Sequence, residues 1–158
     1  MKKMRNRKKY GFTLIEVMLV LAVGGAIIAM VFIAVPPLQR QARDETRRED
    51  VREVVSALKK YQQNNRGALP TTTGSLSNYL RANFSDPDGT VYTLKMDTCD
   101  KGADDVCVDI AEESEHHTIY IYTGATCDDN SAKNVSNPRN AAVVYGELEA
   151  SGKYCSNT

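Results

Sequence analysis

Nineteen consecutive residues, Val17 to Val35, carry no polar side chain, and with Phe12 to Glu16 added the apolar segment reaches 24 residues. Wound as a helix at about 1.5 Å per residue, it is long enough to cross a hydrocarbon core of roughly 30 Å. It reads as a membrane segment. The first 11 residues hold six bases, Lys2, Lys3, Arg5, Arg7, Lys8 and Lys9, and no acid. That asymmetry predicts a cytoplasmic N-terminus and an outward-facing C-terminal part. Gly24 and Gly25 weaken helix propensity in mid-segment, which a bilayer tolerates better than water does.

A cleavable secretory signal has an apolar region of about 7–15 residues and a small-residue cut site after it. Here the run is longer, and Pro36-Pro37-Leu38-Gln39 supplies no such site. A lipoprotein signal also fails, because the first cysteine is Cys99. A plain signal anchor has to account for Glu16, a carboxylate costing a few kcal/mol in a lipid-facing helix unless it finds a partner or lies near the interface. Near the helix start, the helix dipole and headgroup water soften that cost.

Lys8-Lys9-Tyr10-Gly11-Phe12-Thr13-Leu14-Ile15-Glu16-Val17-Met18-Leu19-Val20-Leu21 resembles the N-terminus of type IV prepilins and the related pseudopilins. In that family a basic leader ends in Gly and a prepilin peptidase cuts after it. The new terminal residue, usually Phe, is N-methylated, and a Glu stands fifth after the cut. The resemblance therefore implies cleavage between Gly11 and Phe12, methylation of Phe12 and an assembly role for Glu16. It also implies four segments: a cleaved leader over 1–11, a transmembrane and filament-core helix over 12–36, an amphipathic second half of that helix over 37–66, and an extracytoplasmic head over 67–158. Many pilins carry one helix-bending Pro nearer the cut, whereas here the Pro36-Pro37 pair ends the apolar run. Cleavage would leave an α-amino group at Phe12, largely protonated at neutral pH, beside a carboxylate in an apolar surround. Stranding either charge costs about 3–5 kcal/mol, so the pair would select register as each subunit joins.

From Leu38 to about Asn65 a second helical stretch is expected, because Val51, Val54, Val55, Leu58 and Tyr61 form one stripe at three- and four-residue steps. Arg40 to Arg52 is densely charged, with Arg40/Asp44, Asp44/Arg48 and Glu49/Arg52 spaced as helix-face pairs, which reads as an exposed, solvated face or, in the sharper reading, as ion pairing between subunits along a filament. Pro36-Pro37 predicts either two abutting helices or one kinked helix. Gly67 suits a left-handed helix cap. Beyond Pro70, Thr71 to Gly74 reads as loop and Leu76, Tyr79, Leu80 and Phe84 as a short amphipathic helix. Asp86-Pro87-Asp88-Gly89 has turn chemistry. Candidate strands follow at Val91–Met96, Val106–Ala111, Thr118–Tyr122 and Ala141–Leu148, with Ile119 and Ile121 alternating against Tyr120 and Tyr122. The expected fold class is α+β and pilin-like, a long N-terminal helix packed against a small antiparallel sheet.

All four cysteines, 99, 107, 127 and 155, lie in the outward-facing part and read as disulfides. Three pairings are open. The preferred one joins Cys99 to Cys107 across a short acidic loop and Cys127 to Cys155, tying back the C-terminal tail as in many type IV pilins. No C-x2-C spacing supports zinc. Asp97, Asp100, Asp104, Asp105 and Asp109 are dense enough for a calcium loop, as the resemblance to some type II secretion pseudopilins implies, but their spacing does not fit an EF-hand and the preferred reading is a solvated acidic loop. His116-His117 reads as an exposed strand start with no site. No nucleophile elbow, phosphate loop or metalloprotease signature appears, so neither enzymatic chemistry nor a cofactor is expected.

Residues 67–158 hold six bases against fourteen acids, which argues against a nucleic-acid partner for this subunit. The resemblance implies other partners: prepilin peptidase, an inner-membrane platform protein, an assembly ATPase and further copies of this chain in a helical filament. It places the chain first as a single-pass membrane protein and then on the cell surface as a pilus. A pseudopilin of a type II secretion or competence system is the alternative within the class, and a membrane-anchored extracytoplasmic binding module the alternative outside it.

Overall fold

The computed structural model describes residues 11–99, 107, 117–135, 137–150 and 152–158. The leader before Gly11, the candidate strand Val106–Ala111 apart from Cys107, and Asp100, Asp104, Asp105, Asp109 and His116 lie outside them. One helix, α1 (Leu14–Asn64), is followed by β1 (Thr93–Thr98), β2 (Thr118–Thr123), β3 (Ala125–Asp128), β4 (Ser131–Asn134), β5 (Ala141–Leu148) and β6 (Gly152–Asn157). The fold is α+β and pilin-like, a long N-terminal helix and a small β region rich in antiparallel pairs. The chain divides after Gln39 into two compact units.

In the first unit Phe12 is 89 % exposed, and Leu14, Ile15, Met18, Leu21, Phe32 and Ile33 are likewise open. Among the described residues α1 alone is long and apolar enough to cross a membrane, and none of its apolar window is buried within the chain. Pro36 and Pro37 lie inside α1, so the two-helix alternative is not realised. Each proline removes its own N–H from the ladder and its ring crowds the carbonyl four residues back, yet the helical residues on either side carry the element through.

The second unit begins at Arg40 and is built on the Val51-to-Tyr61 stripe. Val51, Val54, Val55 and Leu58 are buried with Leu76, Tyr92, Ile119, Ile121, Val143 and Tyr145, and Tyr61 is partly buried against them. Each fully buried aliphatic side chain contributes roughly 1.5–3 kcal/mol. α1 ends where expected: Gly67, at φ 83°, donates its N–H to the Gln62 carbonyl at 2.8 Å, a six-to-one closure. The expected amphipathic helix after Pro70 is only a 3-10 turn, Thr73–Leu76. Its apolar residues still reach the core, Leu76 fully and Tyr79, Leu80 and Phe84 in part. The Asp86–Gly89 turn forms, with Asp86 N–H on Thr90 O and Gly89 N–H on Asp86 O, both at 2.8 Å.

The main sheet has the order β1-β2-β5-β6, with β3 and β4 forming a separate hairpin. β2–β5 and β5–β6 are antiparallel, but β1 runs parallel to β2, which corrects the expectation of a wholly antiparallel sheet. Residues 99–117 between those strands give the dozen or more residues that a parallel crossover needs. The first strand also starts two residues later than expected, leaving Val91 73 % exposed. Ile119 and Ile121 face the α1 core, while Tyr122, with Ala142, Val144 and Cys155, packs on the opposite face with Ala125 and Ala132 of the hairpin. β3, β4 and β6 were not expected from the sequence. The hairpin closes through Asp129-Asn130, with Asp129 at φ 52°.

The cysteines form Cys99–Cys107 and Cys127–Cys155, with Cα separations of 4.9 and 5.8 Å. The second joins β3 to β6 and so binds the hairpin to the sheet. Sequence separations of 8 and 28 give chain-entropy stabilisations of about 2.5 and about 3.6 kcal/mol. Thermal melts should therefore place Cys155→Ser below Cys99→Ser by about 1 kcal/mol, and a reversed order would show that the shorter loop matters more.

Candidate functional site

The residues of the expected maturation site stand together at the start of α1. Gly11 and Phe12 precede the helix, and Thr13 is its cap, the Thr13 carbonyl accepting the Val17 N–H at 3.4 Å. Glu16 turns back on Thr13: its Oε2 accepts the Thr13 N–H at 2.8 Å and the Thr13 hydroxyl at 2.7 Å. The Glu16 N–H in turn lies 3.4 Å from Thr13 Oγ1. This is a reciprocal capping box, and Thr-x-x-Glu before an apolar run is its sequence signature, a local signal that the sequence reading passed over. It places the carboxylate at the positive end of the helix dipole. Oε1 makes no hydrogen bond among the described residues and remains an open acceptor.

A second cluster lies in the second unit and corrects the reading of Arg40 to Arg52 as an exposed charged face. Arg48 and Arg52 do pair with Glu45 and Glu49 at the surface. Asp44, Arg47 and Asp50, however, are buried. The Arg47 side chain, 7 % exposed, grips Asp86 with Nε at 2.7 Å and its second fork at 3.0 Å, and reaches Glu149 at 2.9 Å and Asp44 at 3.3 Å. Asp44 accepts the N–H groups of Glu149 and Ala150 at 2.9 and 2.8 Å, and Arg43 holds Glu149 by two bonds of 2.8 and 2.6 Å. Deeper along α1, Asp50 accepts Arg81 at 2.6 Å and the Tyr92 hydroxyl at 2.9 Å. Positions 44, 47, 51, 54 and 58 follow one another at helical steps, so the buried stripe simply continues toward the N-terminus in charged residues. Extending the apolar stripe backwards by three and four residues would have found them.

Burial pushes the Asp86 carboxyl up, but the Arg47 guanidinium and the Asp88 N–H more than offset it and leave it below the usual range. The Arg43 hydrogen bond, helped by Arg47 against some burial, lowers Glu149 to about 2. Asp50 shifts the other way, raised because burial outweighs Tyr92 and Arg81.

His117 is packed against this cluster, which corrects its reading as an exposed strand start. Ligand atoms of Asp86, Asp88 and His117 lie within 4.8 Å of one another. The two carboxylates nevertheless face opposite ring nitrogens, Nδ1 being 3.7 Å from Asp86 and Nε2 3.4 Å from Asp88. A single ion can use only one imidazole nitrogen, and both Asp86 oxygens are already held by Arg47. The ring thus lies between the two carboxylates at ion-pair distances, an arrangement that does not converge on one ion.

Residues 6–32 match the family model of the prokaryotic N-terminal methylation motif, the leader signature of type IV prepilin-like proteins. The chain thus carries the motif found at the start of type IV pilin- and pseudopilin-like proteins, a motif that in general implies membrane anchoring before assembly and processing by prepilin peptidase. No curated protein and no solved structure is significantly similar to the chain.

The ionic cluster fixes a pH dependence. The Glu149 carboxyl is lowered to about 2 from 4.5, so its contribution is complete above the unfolded value and is lost as pH falls through that window. Asp86 acts in the same sense, while the raised Asp50 acts oppositely and is relieved of its cost by protonation. The net expectation is a fall in Tm between about pH 5 and about pH 2 that is smaller in Glu149→Gln than in the parent chain. Parallel melting curves for the two proteins across that range would show the assignment to be wrong.

Proposed function

We propose that the chain is the structural subunit of a type IV pilus. It is made as a precursor, anchored by residues 12–36, cut between Gly11 and Phe12 and methylated at Phe12. The matured chain then polymerises through α1 into a surface filament serving adhesion, twitching motility or DNA uptake. The single observation that carries this reading is an uncovered apolar helix that opens with the methylation motif. Such a surface needs lipid at first and other copies of itself afterwards. Prepilin peptidase, an inner-membrane platform protein and an assembly ATPase are the partners this route requires. Residues 37–66 and 67–158 then present the second half of the helix and the outward-facing head, with Cys99–Cys107 and Cys127–Cys155 as its staples.

Glu16 supplies the docking chemistry. One oxygen is satisfied by Thr13, which fixes the carboxylate on the helix start, and the other is open to the Phe12 ammonium of a neighbouring copy. In a dry helical core the loss of one partner strands the other, at about 3–5 kcal/mol, so only the register that joins them is stable.

Mass spectrometry of the mature chain is the first test: it should lack residues 1–11 and carry one extra methyl at Phe12. An intact N-terminus would favour the anchored binding module instead.

Glu16→Gln keeps the size and the bond to Thr13 but removes the charge. Insertion and cleavage should persist, subunits should accumulate in the membrane, and sheared filaments should become scarce, by an order of magnitude or more for a loss of 3–5 kcal/mol. An unchanged ratio of filament to membrane-bound subunit would reduce Glu16 to a helix cap.

A further inference from the structure

Of the arginines from Arg40 onward, Arg43, Arg47, Arg48, Arg52 and Arg81 each pair with a carboxylate. Arg40, Arg66 and Arg139 pair with none among the described residues, and Arg66 and Arg139 line one open cleft of about 590 Å3. Both are deliberately placed. Asn137 Oδ1 accepts the Arg139 N–H at 3.1 Å and the Arg139 carbonyl accepts Gln62 Nε2 at 2.7 Å, which fastens this turn to the end of α1. The Arg139 side chain passes beside Gly67, where an added Cβ would lie 3.9 Å from its guanidinium. Arg66 itself sits at φ 56°, a left-handed conformation that Gly or Asn would adopt more cheaply. It is a left-handed residue of the closure in which Gly67 N–H meets Gln62 O, so the end of α1 fixes where its side chain enters the cleft.

The remaining wall narrows the ligand. Asp97 lines the same cleft, its Oδ1 fixed by the Thr98 N–H at 2.7 Å, and Thr71 and Thr123 add hydroxyls beside the apolar faces of Met96 and Pro70. Two guanidinium forks suit the planar oxygens of a carboxylate. A carboxylate in the same cleft accepts hydroxyl hydrogens and repels a second negative charge. We infer that the Arg66–Arg139 cleft binds a sugar bearing a single carboxylate, the arginines taking the acid and Asp97 with the threonines taking its hydroxyls. A cleft of this volume falls in the range of small-ligand sites and accommodates one or two sugar rings. The inference does not rest on polymerisation, because every residue it uses lies in the unit Arg40–Thr158.

The test uses the full chain in detergent and two labelled disaccharides, one ending in glucuronate and one in glucose, followed by fluorescence polarisation. Saturable binding of the glucuronate probe alone is expected, weakened about tenfold or more by Arg66→Gln and by Arg139→Gln at unchanged Tm. Arg66→Gln leaves the Gln62–Arg139 tie intact and so reads the charge even if Arg139→Gln disturbs the turn. Equal binding of both probes, no binding of either, or affinity unchanged in both variants would overturn the inference. Displacement of the glucuronate probe by equimolar inorganic phosphate or by an acidic peptide would also overturn it, in favour of a plain oxyanion site or a protein partner.

Discussion

An apolar surface that no described residue of its own chain covers governs this molecule. The large apolar side chains from Phe12 to Val35 are exposed, and the unit that begins at Arg40 has its own core. That unit has to hold together on its own small core, and a domain of its size buries a lower share of its surface than a large one does. The described residues show the response: a core gathered against one α1 stripe, with two disulfides and a dense ionic cluster securing regions that core does not reach.

The ionic cluster answers a different need from the core. Aliphatic contacts between α1 and the sheet are non-directional and tolerate sliding by a turn. Arg47, by contrast, can reach Asp86 and Glu149 together in only one register, and Asp44 takes two backbone N–H groups of the β5–β6 connection in that same register. Replacing such a cluster with apolar residues need not destabilise the unit, but removing one member strands the rest. Its value lies in fixing where along the helix the sheet stands.

Much of this was legible in the sequence. The stripe from Val51 to Tyr61, the alternation of Ile119 and Ile121 against Tyr120 and Tyr122, and the Gly67 cap each follow from a period or a backbone preference that one residue type satisfies best. Strand direction was not legible, because a run such as Thr93–Thr98 has the same hydropathy pattern whichever way its neighbour points. The β3–β4 hairpin escaped notice because Ala-Thr-Cys-Asp and Ser-Ala-Lys-Asn have little β-branched or aromatic content. They are held as strands by burial of Ala125 and Ala132 and by the Cys127 bridge. Asp44, Arg47 and Asp50 were misplaced because charge was taken as a sign of exposure, when their helical positions continue the buried face. At the N-terminus the motif made Gly11, Phe12 and Glu16 conspicuous, while the part played by Thr13 emerged only from its hydrogen bonds.

The bond between Cys127 and Cys155 has a mechanical side. β6 is an edge strand of the main sheet, where among the described residues it is paired with β5 alone. Because Cys155 is covalently tied to β3, peeling β6 also requires dragging the β3–β4 hairpin off the face that carries Tyr122 and Val144. Strand-by-strand unzipping is thereby converted into shear of a packed layer, in which many contacts must yield at once. A pull on the C-terminal end would thus meet the hairpin layer as well as the β5–β6 ladder.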